Sequence, residues 1–159
     1  MTRAANERVL LDGPAGRIET VIDLPAAGER RGSLHAAARG RNDDAVRGVA
    51  LIAHPHPLFG GSLDNKVVQT LARTFVELGY VALRVNFRGV GASTGGHDEG
   101  RGEADDLLAI LDYARARFGA EPPVLAGFSF GAYVQTLVAR RAAPRRMALV
   151  GVAAGFVSG

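Results

Sequence analysis

Hydrophobic and polar residues along this chain switch between two periods. Ile18-Glu19-Thr20-Val21-Ile22-Asp23-Leu24 alternates, with Ile18, Thr20, Ile22 and Leu24 on one face; with Val9-Leu10-Leu11 it predicts two short strands joined by the turn Asp12–Gly16. Gly48–Ala53 is a continuous apolar run, the pattern of a strand buried on both faces. The spacing of Val67, Leu71, Phe75 and Leu78 predicts a helix, capped by Ser62 or Asp64 and stopped by Gly79. Tyr80–Phe87 reads as the next strand. A second helix carries Glu103, Asp105 and Asp106 in its first turn and Arg115 and Arg117 in its last, where each charge suits the helix dipole. Its apolar stripe is Leu107, Leu111, Ala114 and Phe118, and Gly119 ends it. Val124–Ala126 is a short apolar run of the β type, and Tyr133, Val134, Leu137 and Val138 make a helical run from near Phe130 that stops before Pro144. Met147–Ala154 reads as a last strand.

Strand and helix patterns alternate from Val49 onward, which implies an α/β fold: a mostly parallel sheet with helices on both faces, preceded by an antiparallel pair. Residues 1–159 are read as one domain. Pro25–Arg47 is rich in Ala, Gly and Arg and has no steady period, so it is read as a mobile surface insertion, with His35 a solvated histidine inside it. The loops that leave the carboxyl ends of parallel strands converge on one crevice. Three loops do so here: His54–Ser62, Arg88–Gly96, and the turn after Ala126.

Composition narrows the function classes. The chain is 47% apolar and 22% charged, an ordinary globular balance. Its pI of about 9.9 suggests nucleic acid at first sight. The formal charge is only +3, however, and the bases are almost all arginines spread along the chain, with Lys66 the sole lysine. No basic stripe interleaved with aromatics is present, so nucleic acid is not an expected partner. Cysteine is absent, which excludes disulfides and cysteine-based metal sites, and no metal site is expected. The first ten residues lack an apolar signal core, and no run reaches membrane-spanning length, so a cytoplasmic protein without membrane partners is expected. Gly89-x-Gly91 after a strand hints at a dinucleotide, but the third glycine is Gly95, one place late, and no acidic residue ends the Val124–Ala126 strand; no cofactor is expected.

The densest chemistry is Gly127-Phe128-Ser129-Phe130-Gly131. A Gly-x-Ser-x-Gly between a short strand and a helix is the nucleophile elbow, in which a tight turn lifts the serine Oγ above the sheet. Gly127 and Gly131 are required because a Cβ at either would collide across the turn. The helix that follows aims its N-terminal N–H groups at the same place, so the Phe130 N–H suits a developing oxyanion.

Three stretches together resemble the α/β-hydrolase superfamily, and most closely its short bacterial members: His54–Val68 (HPHPLFGGSLDNKVV), Asn86–Ser93 (NFRGVGAS) and Gly127–Ala132 (GFSFGA). The likeness runs from about Arg47 to the end of the chain. It implies a three-layer α/β-hydrolase-like fold with Ser129 as the nucleophile toward a small-molecule ester, thioester or amide carbonyl, through an acyl-enzyme. The Phe130 N–H would be one oxyanion donor and the Leu58 N–H the second, with His56 the other candidate; Pro57 has no N–H to give.

The sequence departs from the family at one place. The superfamily's order is Ser, then acid, then His, whereas no Asp, Glu or His follows Ser129 here. On the resemblance the domain is therefore C-terminally incomplete. His54 or His56 could stand near Ser129 as a base, or both could simply shape their loop by bonding backbone. His97 is read as solvated, and Asp98, Glu99 and Glu103 as caps and surface charges. Two readings stay open: a serine hydrolase, or a non-catalytic remnant, binding module or half of a split hydrolase. The Met147–Ala154 strand, apolar and uncharged, is expected to be an uncovered edge prone to self-association.

Overall fold

The computed structural model describes residues 5–26, 46–119, 121–153 and 155. Its elements are β1 (Ala5–Gly13), β2 (Gly16–Leu24), β3 (Gly48–Ala53), a 3₁₀ turn (Pro57–Phe59), α1 (Lys66–Glu77), β4 (Tyr80–Val85), α2 (Arg101–Phe118), β5 (Val124–Phe128), α3 (Phe130–Ala142) and β6 (Arg146–Val150). The described strands form one six-stranded sheet in the order β1-β2-β4-β3-β5-β6. β1, β2 and β4 pair antiparallel, whereas β4, β3, β5 and β6 run parallel. This is the expected mixed α/β architecture. Most of the Pro25–Arg47 stretch, His35 included, lies outside the described residues.

The alternation inside the strands explains the layers. Val49, Leu51 and Ala53 of β3, Val81, Leu83 and Val85 of β4, and Leu125 of β5 point to one face, where Leu107, Ile110 and Leu111 of α2 and Val134 and Val138 of α3 cover them. Ile52, Ala82 and Ala126, one step out of phase, face Val68, Ala72 and Val76 of α1. A sheet covered on both faces needs apolar side chains at every position, which is why β3 reads as a continuous run. Fully burying a Leu or Ile of this kind contributes about 1.5–3 kcal/mol.

Four sequence expectations are corrected. The cap of α1 is neither Ser62 nor Asp64 but Asn65, whose side chain accepts from the Val67 and Val68 N–H groups. The buried stripe of α1 lies one residue later than expected, on Val68, Ala72 and Val76; Leu71 and Phe75 pack at its margin, and Leu78 is exposed. β4 ends at Val85: the Asn86 N–H still bonds the Glu19 carbonyl of β2, and the Phe87 N–H turns to the His54 ring. β6 is shorter than Met147–Ala154: its ladder to β5 ends at Val150, and Gly151 takes the left-handed conformation there. Ala154 lies outside the described residues.

The register levels the functional loops. Ala53 of β3 pairs with Val85 of β4 and with Gly127 of β5, so the next residues of all three strands emerge side by side.

Candidate active site

Ser129 sits where β5 ends and α3 begins, with φ 56° and ψ −115°. That combination is unfavourable for a residue with a Cβ, and such strain persists only where surrounding structure enforces it. Here the Ser129 N–H donates to the Val150 carbonyl of β6 at 2.9 Å, and its own carbonyl accepts from the Tyr133 N–H at 3.2 Å to open α3. The flanking glycines are demanded by space. A Cβ on Gly127 would lie 2.7 Å from the Ala132 nitrogen, and one on Gly131 would collide with the carbonyl oxygens of Ala53 and His54. The turn thus packs helix backbone directly on the end of β3. The Phe130 side chain is fully buried, which fixes the backbone carrying its N–H at the first position of α3.

His54 is fully buried, and both ring nitrogens are in use: Nδ1 lies 2.6 Å from the Pro55 carbonyl, and Nε2 accepts from the Phe87 N–H at 3.0 Å. The accepting Nε2 places the proton of the neutral ring on Nδ1, facing Pro55. Burial drives its pKa down to about 4, against the opposing effect of the Pro55 carbonyl. Of the two roles open to it, this geometry is that of a histidine that shapes its loop, tying the end of β3 to the chain leaving β4.

His56 begins the 3₁₀ turn. Its Nδ1 accepts from the Leu58 N–H at 3.2 Å, and its carbonyl accepts from the N–H groups of Phe59 and Gly61, both at 3.1 Å. The ring stands 4.8 Å from Phe130, 4.8 Å from His97 and 4.9 Å from Phe59. Its pKa is lowered, by burial first and by the neighbouring His97 second, with Glu103 acting the other way. The Leu58 N–H is thereby committed to an imidazole, and the Leu58 side chain stands 69% exposed.

His97 is not the solvated group expected, and Glu103 caps α2 as expected but from a buried position. The His97 side chain is only 17% exposed, its ring 5.4 Å from Phe130. Its Nδ1 lies 3.1 Å from Glu103 Oε2, close enough for an ion pair but out of line for a hydrogen bond. Glu103 is fully buried and folds back on the start of α2, accepting from the Asp98 N–H at 2.9 Å and the Gly100 N–H at 3.1 Å. This is the reach-back of a capping box, with glycine at the cap itself. Asp98 does cap, accepting from the Gly102 N–H at 2.9 Å, and Glu99 is exposed as expected.

Two polar networks hold the loops over this crevice, and neither was singled out from the sequence. Asn86 uses its whole side chain: Oδ1 accepts from the Leu63 N–H at 2.8 Å and Nδ2 donates to Glu19 Oε2 at 2.9 Å. Glu19 Oε2 also accepts from the Ala92 N–H at 2.7 Å, and its other oxygen pairs with Arg8. The Ala92 N–H is the largest influence holding the Glu19 carboxyl below its usual range, with Asn86 and Arg8 assisting against burial. Ser93 joins them, accepting from the Glu19 N–H at 2.9 Å and donating to the Asn86 carbonyl at 2.8 Å. The second network is the two-pronged pair Arg88–Asp106, with both bonds at 2.8 Å and Asp106 almost fully buried. The Asn-Phe-Arg-Gly run was the available signal, since it places an amide and a guanidinium where a parallel strand ends.

Among the described residues no group of three or more His, Asp or Glu is arranged to hold a metal ion, and no helix is long and apolar enough to cross a membrane.

Comparison with known proteins agrees with this geometry. A crystal structure of a lidless α/β serine hydrolase from Xanthomonas campestris superposes with a TM-score of 0.79 at 37% identity, covering 98% of this chain and 64% of that one. An α/β serine hydrolase homologue from Coxiella burnetii gives 0.79 at 38% identity, over 99% of this chain and 68% of that one. An uncharacterized protein of Rickettsia prowazekii is 39% identical over 136 residues. The chain spans about half the length of that curated relative, 50%. The family described as alpha/beta hydrolase fold matches residues 55–155. With the elbow, the levelled loops and the mixed sheet in place, that match settles the family: the chain belongs to the α/β-hydrolase fold family.

Proposed function

We propose that this protein is a serine hydrolase that cleaves the ester, thioester or amide bond of a small acyl substrate through an acyl-enzyme on Ser129. The Ser129 Oγ attacks the carbonyl carbon, the carbonyl oxygen takes the electron pair, and the leaving group departs with a proton before water releases the acyl group. The observation that carries this reading is the strained backbone of Ser129 between two glycines that admit no side chain. Helical N–H groups beside it supply the preorganised donors that a tetrahedral intermediate requires. Phe130 gives the first. For the second, the commitment of the Leu58 N–H to the His56 ring favours the His56 N–H over the one first expected.

The base is the weak part of the site. His54 directs its only lone pair at the Phe87 N–H. In neutral His56 an accepting Nδ1 puts the proton on Nε2, so neither nitrogen is ready to receive one from Ser129. No carboxylate or imidazole follows Ser129 in the sequence. The 159-residue chain should therefore hydrolyse activated esters slowly, near the residual 10³–10⁴-fold, roughly, that an oxyanion hole and binding supply without a triad. A fluorophosphonate probe tests both points. Slow labelling that disappears in Ser129→Ala supports the proposal, whereas labelling that survives the substitution refutes it. The engagement of the His54 and His56 rings with backbone favours the second reading, a crevice that binds without catalysis. That reading gains if Ser129 is never labelled but acyl compounds still bind.

A further inference from the structure

The 3₁₀ turn after β3 is held by one interaction that a proton can abolish. Its first residue, Pro57, has no N–H, so the turn's order rests on the bonds made by Leu58, Phe59 and Gly61. Two of these go to the His56 carbonyl and one, from Leu58, to the His56 ring. The ring stands where an Asx side chain stands in an Asx turn, accepting from the N–H two residues on. An Asx oxygen accepts at any ordinary pH. An imidazole Nδ1 accepts only while unprotonated, and when protonated becomes a second donor facing the Leu58 N–H.

We propose that His56 is a positioning residue that acts as a proton-sensitive latch: neutral, it locks the Pro57–Phe59 turn and so aims the loop's backbone N–H at the oxyanion position; protonated, it releases the turn. This rests on the serine-hydrolase reading for its catalytic consequence, but not for the latch itself. The surroundings bear on how readily the latch takes a proton. Among the described residues the groups packed on His56 include Phe59 from its own turn, Phe130 from α3 and His97 from the loop before α2, and the Glu103 carboxylate of α2 favours its protonated form. The His97 Nδ1 lies 3.1 Å from the buried Glu103 carboxylate, so a histidine–carboxylate pair stands against the latch. The pKa of His56 is lowered by burial first and by the neighbouring His97, 4.8 Å away, second, with Glu103 acting the other way, so the latch stays closed at neutral pH.

The experiment is an NMR titration of the full ¹⁵N-labelled chain from pH 7 downward, with His56→Asn alongside, since an Asn side chain can make the same cap and does not titrate. The ¹⁵N shifts of the imidazoles report which nitrogen of His56 carries the proton, and amide exchange reports the Leu58 N–H as a protection factor. The expected result is an unprotonated Nδ1 at pH 7, and Leu58 protection that falls at least about tenfold as His56 titrates. In His56→Asn that protection should stay constant. A protonated Nδ1 at pH 7, or equal loss of Leu58 protection in the Asn variant, would overturn the latch. Fluorophosphonate labelling adds the functional arm. The quotient of wild-type over His56→Asn rates cancels the probe's own pH dependence, and should fall about tenfold across the His56 titration; a flat quotient means the latch does not reach the oxyanion site. If the wild type is never labelled, the hydrolase reading fails, and the amide measurement still decides the latch.

Discussion

Acid should destabilise this fold through His54. The imidazole is fully buried, spends both nitrogens on backbone, and is held neutral with a pKa of about 4 by burial. In the unfolded chain it titrates near 6.5. A histidine whose folded value is depressed contributes its full stability above the unfolded value. That stability is lost as pH falls from 6.5 toward about 4, because only the unfolded state takes up the proton in that window. At about 1.4 kcal/mol for each tenfold in proton activity, the interval corresponds to roughly 3 kcal/mol. This is a large share of the 5–15 kcal/mol that typically separates folded from unfolded domains. The measurement is urea unfolding of wild type and His54→Gln at pH 7, 5.5 and 4. At pH 7 the variant should be less stable, by about 1–3 kcal/mol for each backbone group left without its partner. That gap should then narrow by about 3 kcal/mol on going to pH 4, since the variant has no buried imidazole to charge. Parallel pH dependences in the two proteins, or an NMR titration of His54 near its ordinary value, would refute the argument.

Other expectations concern the elbow, the loops and the edge. Ser129→Gly should abolish labelling yet raise stability by about 1 kcal/mol, since glycine relieves the positive φ; chemical denaturation decides it, and a loss of stability would count against the strained turn. Gly131→Ala should destabilise by more than about 3 kcal/mol or prevent folding, because its Cβ meets the backbone of Ala53 and His54. Asp106→Ala should cost about 3–5 kcal/mol by stranding the Arg88 guanidinium, and the double variant Arg88→Met/Asp106→Leu should recover much of that loss in the same assay. Met147 and Val150, 39% and 40% exposed on the outermost strand, are proposed to support self-association; Val150→Lys should then reduce it in analytical ultracentrifugation.

The fold was legible because its signals are local. The continuous run Gly48–Ala53, Gly79 after α1, Gly119 after α2 and the Gly127 side of the elbow turn each carry their reason within a few residues. The elbow is legible through the spacing of its glycines, although only Gly127 meets a sequence neighbour, Ala132, whereas Gly131 is hemmed in by Ala53 and His54 at the end of β3. The site's periphery was harder. Glu103 looks like any first-turn acid of a helix, and only the path of the Asp98–Gly100 backbone turns it inward to meet His97. The resemblance points to Leu58 as the second oxyanion donor, Pro57 having no N–H, but the sequence does not show that the His56 ring claims the Leu58 N–H. Helix α1 was misphased by one residue because Val67 and Val68 are both apolar, and the periodicity alone does not select between them.

The bonds that build the crevice differ greatly in the length of chain they close. The elbow is closed locally: Gly127 pairs with Leu149 of the very next strand, and Ser129 is fixed by Val150. The loops above it are closed by Glu19, which reaches 67 residues to Asn86 and 73 to Ala92. Contacts between distant residues must overcome a larger loss of chain entropy before they yield any stability, and they form late. The folding order that follows is β5, α3 and β6 early, with the strained serine already set, and the loop cover last, once the N-terminal hairpin docks on β4. Substitutions at Glu19 or Asn86 should accordingly speed unfolding with little effect on the folding rate, whereas those in the β5–β6 ladder should slow folding itself.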